Sequence, residues 1–229
     1  NAWLADFSTG IAEIAKQFDI ALVGGDTTSG PLTVSLTLLG EAPVGESLRR
    51  AGAAVGDMVF VTGTLGDGAA GLKSLYSNNC LNTDSDRLLQ RFYRPQPQVE
   101  TALILRGIAS ACIDISDGLV ADLGHICESS HVAATIHTEQ LPIAEDVREL
   151  ASDNGLSWAL FGGDDYQLCF TVGAEKLATV EQWIDHGELN ASKIGAIYAA
   201  DDSLNPVTVV DANNNPVSVD KQGYDHFGK

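Results

Sequence analysis

Apolar positions along this chain switch repeatedly between a helical and an extended spacing. Trp3, Leu4, Phe7, Ile11, Ile14 and Phe18 recur at steps of three, four and seven, which predicts an amphipathic opening helix. Ile20 to Val23 reads as a short buried strand. Leu32, Val34, Leu36 and Leu38 alternate with polar residues, predicting a second strand over Leu32 to Leu39. Beyond a Gly-, Ala- and Arg-rich stretch from Glu41 to Gly56, the pattern predicts strands at Met58 to Thr62, Ala111 to Ile115, Val132 to His137, Tyr166 to Val172 and Ala191 to Ala199. Helices are predicted between them at Asp67 to Tyr76, Asp84 to Tyr93, Gln98 to Ser110, Leu119 to Ser129, Ile143 to Ser152 and Glu175 to His186. Arg94-Pro95-Gln96-Pro97 cannot continue a helix and separates two of them. The tail from Pro206 to Val219 reads as a hairpin turning at Asn213-Asn214-Asn215.

Interleaved strands and helices predict an α+β fold with alternating α/β elements. The Glu41 to Gly56 stretch is the candidate domain boundary. Asn1 opens on what reads as the inside of a helix with an apolar face, so the chain is expected to be part of a longer protein.

Composition narrows the function. With 31 acidic against 13 basic residues the chain carries a formal charge of −18, which argues against nucleic-acid or anionic-membrane binding and leaves carboxylates for divalent cations. No apolar run is long enough to span a bilayer. Cys80, Cys112, Cys127 and Cys169 lack CxxC spacing and stand in apolar patterns, so they are expected to be reduced core thiols of a cytoplasmic protein. The five histidines show no H-x-x-x-H pairing, and neither G-x-S-x-G nor a Walker sequence occurs.

Gly66-Asp67-Gly68-Ala69-Ala70-Gly71 matches G-x-G-x-x-G between a predicted strand and a predicted helix. A dinucleotide-binding unit also needs a strand soon after that helix, ending in an acid for the ribose. Here a second helix follows instead, so a tight strand-to-helix turn is the expectation.

Three segments set carboxylates beside glycine where buried strands are predicted to end: Gly24-Gly25-Asp26-Thr27-Thr28, Ile113-Asp114-Ile115-Ser116-Asp117-Gly118-Leu119 and Phe161-Gly162-Gly163-Asp164-Asp165-Tyr166. Asp114, Ser116 or Asp117 could cap the following helix, but capping accounts for only one of the two carboxylates. Clustered hard oxygens suit Mg²⁺ bridging to phosphates, and glycine permits close approach of backbone to a ligand. Arg50 is one of few cations able to meet a phosphate, or else a solvated surface arginine.

These segments, with Val61-Thr62-Gly63-Thr64-Leu65-Gly66-Asp67, Leu168-Cys169-Phe170 and a final Gly223-Tyr224-Asp225-His226-Phe227, resemble the thiamine-monophosphate kinase family in their order along the whole chain. That family belongs to a superfamily with aminoimidazole ribonucleotide synthetase and selenophosphate synthetase. The resemblance implies phosphorylation of thiamine monophosphate to thiamine diphosphate by ATP and Mg²⁺, through direct in-line transfer in a homodimer. It implies that Gly25, Asp26, Arg50 and Ser116 lie at ATP, that Asp26, Asp114 and Asp117 hold Mg²⁺, and that Asp164 and Tyr224 face thiamine phosphate. It further implies that residues 1–44 are the end of an N-terminal ATP-binding and dimerisation domain and residues 45–229 a C-terminal domain. Without the rest of the N-terminal domain the chain alone is expected to be inactive. The family often has glutamate where Asp164 and Gln167 stand, which would shift the substrate contact. Two alternatives stand beside this one: another ATP-using synthetase of the superfamily, and a non-catalytic nucleotide-binding or dimerisation module.

Overall fold

The computed structural model describes residues 2–76, 83–151, 154–201 and 205–217. It divides into two units, Asn1–Ala42 and Pro43–Lys229. In the first, α1 (Ala2–Gln17) follows the predicted helical spacing, and Trp3 and Phe7 stack with ring centroids 5.2 Å apart. The helix stops where Asp19 takes a left-handed φ of 53° and the Ile20 N–H closes back on the Ala15 carbonyl at 2.8 Å. None of the described residues of α1 is buried.

The strands expected at Ile20 to Val23 and Leu32 to Leu39 do not form. A strand exists only when a neighbour completes its ladder of N–H and C=O bonds, and among the described residues neither segment pairs with the other or with any strand. Alternation of apolar residues is not enough without such a partner, and Val23 and Leu39 remain 91% exposed.

The second unit is built on one sheet. Its strands are β1 (Met58–Thr62), β2 (Ala111–Asp114), β3 (Val132–His137), β4 (Leu168–Val172), β5 (Ala191–Ala199) and β6 (Val207–Val210), in the order β2-β4-β1-β5-β3-β6. Every pairing is antiparallel except β3 with β6. Strict alternation sorts the side chains. Val59, Val61, Ile113 and Cys169 face one side, where α5 (Leu119–Ser130) and α7 (Gly155–Phe161) supply Leu119, Leu123, Ile126, Ala159 and Leu160. Phe60 and Phe170 stack on the other side, against Leu105 of α4 (Val99–Leu105) and Val180 of α8 (Ala174–Asp185). Each of these fully buried aliphatic or aromatic side chains contributes roughly 2–3 kcal/mol relative to exposure. A third cluster, Ala70, Leu88 and Val147, joins α2 (Asp67–Tyr76), α3 (Thr83–Tyr93) and α6 (Glu145–Ala151).

Two helices differ from expectation. α4 stops at Leu105 because Arg106 turns extended and Gly107 takes φ 70°. α7 was not anticipated: its seven residues are too few to display a helical repeat. At the tail, β6 turns back through Asp211 to Asn215, with Val210 bridged to Pro216. Ser218 and Val219, the end of the expected hairpin, lie outside the described residues. Cys112, Cys127 and Cys169 are buried free thiols, and burial pushes Cys112 and Cys127 up to about 12. Cys80 lies outside the described residues. Among those described, no helix is long and apolar enough to cross a membrane.

Candidate functional site

Strand order explains why distant segments of sequence meet. β4 lies between β1 and β2 and runs antiparallel to both, so the exits of β1 and β2 and the entry of β4 fall on one edge of the sheet. At that edge stand the β1–α2 loop, the β2–α5 loop and the turn from α7 into β4. The turn is bonded to the β2–α5 loop: Asp164 N–H donates to the Ser116 carbonyl (3.0 Å), Tyr166 N–H to Ile115 (2.9 Å), and Ile115 N–H returns to Gln167 (2.7 Å). It also crosses the β1–α2 loop so closely that a Cβ on Gly68 would lie 2.6 Å from the Gly163 carbonyl oxygen. A Cβ on Gly163 would lie 2.5 Å from the Ser116 carbonyl oxygen.

The capping reading of Asp114 and Asp117 does not hold. Gly118 precedes α5 with no side-chain cap, and the carboxylate of Asp122, one turn into the helix, reaches back instead. Its Oδ2 accepts from the N–H groups of Ser116 (2.9 Å), Asp117 (3.0 Å) and Gly118 (3.2 Å). Burial raises the Asp122 pKa, the charge of Asp117 adds to the rise, and the three N–H donors oppose it. The side-chain carboxylates of Asp114 and Asp117 are thereby left without hydrogen bonds or cationic partners among the described residues, Asp114 exposed and Asp117 half-buried. Asp122→Ala is expected to cost about 3 kcal/mol, because three N–H groups lose a shared acceptor. A melting temperature lowered by roughly 6–12 °C in a thermal scan would show it.

Tyr166 marks where the carboxylates gather. Its hydroxyl donates to Asp164 Oδ1 at 3.1 Å, and its pKa is raised by burial, by that bond, and by the charges of Asp164, Asp114 and Asp117. Asp164 and Tyr166 both point outward from left-handed backbone, φ 66° and 50°. Asp165, between them, points inward and is 4% exposed. It accepts from Gly66 N–H at 2.7 Å and Gly68 N–H at 2.9 Å.

That pair of bonds also resolves the G-x-G-x-x-G motif. The N–H groups that would hold a pyrophosphate are taken by the protein's own carboxylate, so the segment is a strand-to-helix turn. Gly66 supplies φ 84°, while Gly71 lets α2 approach α3, since its Cβ would lie 2.5 Å from the Leu88 carbonyl oxygen. Asp67 is buried beneath the loop. It accepts from Thr64 (2.7 Å), Arg87 (3.0 and 3.1 Å) and Arg91 (3.2 Å), and Arg87 also holds Asp146 of α6 at 2.6 Å. Burial works against the Asp67 charge, but Arg87, Thr64 and Arg91 together keep its pKa below the usual carboxylate range. Gln167 completes the layer: with both ends of its amide satisfied, it donates to Thr62 Oγ1 and accepts from Arg91.

Burial pushes Asp165 up to about 7, and Asp67 adds to the shift; the Gly68 and Gly66 N–H groups and Arg91 oppose it. Folding therefore holds a proton here that the unfolded chain releases near pH 4. The stability linked to this group is present below that pH and is lost as pH rises through about 7. The melting advantage of the parent over Asp165→Asn is accordingly expected to shrink between pH 5 and pH 8.

The other expected site residues differ in exposure and in the segment that carries them. Gly25 and Asp26 are exposed in the first unit, where Asp26 Oδ1 accepts from the Thr27 N–H at 2.8 Å. Arg50 is exposed, and its segment joins β2 near the strand's start, where the Arg49 carbonyl accepts from Cys112 N–H. Its side chain forms no ion pair with Asp114, Asp117 or Asp164 among the described residues. Ser116 is half-buried and serves the edge through its backbone. Tyr224 lies outside the described residues. No group of three carboxylate, histidine or cysteine side chains among the described residues is placed to hold a metal ion. The pair Asp114 and Asp117 nevertheless fits a hard cation that uses few protein ligands and keeps its waters, because both carboxylates are accessible and uncommitted. Asp122, Asp165 and the Asp67 cluster escaped sequence reasoning; the only local sign was the doubled Asp164-Asp165, where adjacent residues face opposite ways.

Comparison with known proteins places this arrangement. Residues 54–204 match the AIR synthase related protein, C-terminal domain, and residues 1–42 match the corresponding N-terminal domain. Thiamine-monophosphate kinase of Salmonella typhimurium is 41% identical over 228 residues, covering 98% of this chain and 69% of that protein. The Escherichia coli enzyme of the same name is 39% identical, covering 99% and 70%. The crystal structure of thiamine-monophosphate kinase from Stenotrophomonas maltophilia superposes with a TM-score of 0.77 at 39% identity, over 91% of this chain and 67% of that one. A structure described as AaThiL complexed with AMPPCP and TMP superposes with a TM-score of 0.66 at 34% identity, over 79% and 54%.

Proposed function

The chain belongs to the thiamine-monophosphate kinase family within the AIR synthase related proteins, and from that premise we propose that it transfers the terminal phosphoryl group of ATP to thiamine monophosphate, giving thiamine diphosphate. One observation carries the reading to particular residues: Asp114, Asp117 and Asp164 act together on Tyr166 at a single sheet edge, and the first two have no structural partner among the described residues. Accessible carboxylates without cationic partners at one sheet edge are able to receive a cationic ligand. The relative with AMPPCP and TMP bound supports a nucleotide triphosphate and a thiamine phosphate as the two substrates.

In this proposal Asp114 and Asp117 hold Mg²⁺, which when bound would screen the charge between two phosphate-bearing substrates. Asp164 presents its carboxylate to the cationic thiazolium, with Tyr166 fixing its orientation through the hydroxyl bond. Ser116 and Arg50 belong to the ATP side by the family pattern, as do Gly25 and Asp26, Asp26 also meeting Mg²⁺; Tyr224 belongs to the acceptor side. Residues 1–44 are assigned to an N-terminal ATP-binding domain and 45–229 to the C-terminal domain of a cytoplasmic homodimer. In this reading an oxygen of the acceptor phosphate attacks the γ-phosphorus of ATP and the bond to ADP breaks in line with it.

Incubation of the full-length protein with γ-labelled ATP tests direct transfer. Label is expected in thiamine diphosphate and none on the protein; a phosphoprotein formed before acceptor is added would sink it.

A further inference from the structure

The acceptor-side turn is held in an unusual shape by a residue that faces away from the substrate. Asp164 and Tyr166 both occupy left-handed backbone without being glycine, a conformation that persists only where neighbours enforce it. Three backbone bonds tie the turn to the β2–α5 loop, Asp164 and Tyr166 N–H donating to it and Ile115 N–H donating back to the Gln167 carbonyl. On its opposite flank the side-chain tie to the β1–α2 loop is Asp165, whose two carboxylate oxygens each take one N–H, Oδ2 from Gly66 and Oδ1 from Gly68. No other side chain among the described residues offers those two N–H groups an acceptor. Beneath them, Asp67 with Arg87 and Arg91 anchors the start of α2, so the loop that Asp165 grips is itself fixed.

We propose that Asp165 is the positioning residue of the acceptor site: by clamping Gly66 and Gly68 it forces its two neighbours outward, setting the Asp164 carboxylate and the Tyr166 hydroxyl in their shared bond. The clamp itself is independent of the reaction; its effect on the acceptor rests on the reading that Asp164 meets thiamine phosphate. Residue alternation makes the mechanism specific. Turning Asp165 inward obliges Asp164 and Tyr166 to face solvent, and loosening it frees both at once.

The test uses Asp165→Asn in the full-length protein. Asparagine keeps the shape and one acceptor but sets an N–H₂ against one of the two backbone donors. Peptides covering residues 62–70 and 162–168 are expected to exchange amide hydrogens at least tenfold faster, while those of α8 are unchanged. The KM for thiamine phosphate should rise at least tenfold, with the KM for ATP within twofold of the parent. Should Asp165→Asn not fold, Asp165→Glu keeps the carboxyl group with its oxygens displaced by one bond, and the same split is expected. Unchanged exchange would overturn the clamp. Faster exchange with both KM values raised alike, or neither, would overturn its link to the acceptor. A parent that phosphorylates other acceptors but never thiamine phosphate would overturn the functional reading and that link, leaving the exchange result to decide the clamp.

Discussion

Asp117→Asn, and separately Asp114→Asn, should lower thiamine diphosphate formation by the full-length protein at least 100-fold while the melting temperature moves by no more than about 2 °C. The two halves of this expectation have different origins. Stability is spared because neither carboxylate has a hydrogen bond or ion pair among the described residues, and the loop N–H groups beside them are served by Asp122. Removing the Asp117 charge also relieves a repulsion that helps to raise the Asp122 pKa. Activity suffers because charge stabilisation at a transferring phosphoryl group is worth several kcal/mol, and each 1.4 kcal/mol is a factor of ten. A melting point lowered by 6 °C or more, with activity falling only in proportion to folded protein, would return these residues to a structural role. The control is Asp122→Ala, which should do the reverse and destabilise first.

Gly68→Ala should raise the KM for thiamine phosphate at least tenfold and lower the melting temperature by roughly 6–12 °C. Its new Cβ would lie 2.6 Å from the Gly163 carbonyl oxygen and 2.7 Å from the carbonyl carbon and oxygen of Asp164. These are backbone atoms, so no rotamer change relieves the contact. Either the β1–α2 loop or the acceptor turn must move, at a cost of about 3 kcal/mol. Gly71→Ala provides the contrast, because its conflict is with the Leu88 carbonyl of α3 at 2.5 Å and not with the turn. It should destabilise comparably yet leave the KM for thiamine phosphate within about twofold at a temperature where both variants are folded. Equal loss of substrate affinity in the two would mean that the site responds to general loosening.

What could be read in advance follows from where each element draws its information. β1, α2, β3 and β5 have the bounds their sequences predict, because each is an apolar block in one repeat, bounded by glycine or turn residues. The segments from Ile20 to Leu39 carry an equally good strand pattern, yet a strand is a property of two partners and no pattern supplies the second. α7 spans barely two turns. The carboxylate motifs were legible as a group because Asp114, Asp117 and Asp164 sit beside glycines next to buried strands. The division of labour within them was not. Asp164 and Asp165 are chemically identical in the sequence, and only the packing of Gly66 and Gly68 against the turn decides which is structural. Asp122 and Asp67 looked like ordinary first-turn acids of helices, a position favourable for a negative charge in any case. The partners of Asp122 are backbone N–H groups four to six residues back, which carry no side-chain signature, and apart from Thr64 those of Asp67 stand twenty and twenty-four residues ahead, beyond the reach of a local pattern.

The central claim is that this sheet edge serves phosphoryl transfer to thiamine monophosphate, and product formation by the full-length protein tests it most directly. Thiamine diphosphate should appear when thiamine monophosphate, ATP and Mg²⁺ are all present and should vanish when any one is left out. A folded protein that binds ATP but forms no thiamine diphosphate under those conditions, or forms it equally well without ATP, would contradict the account.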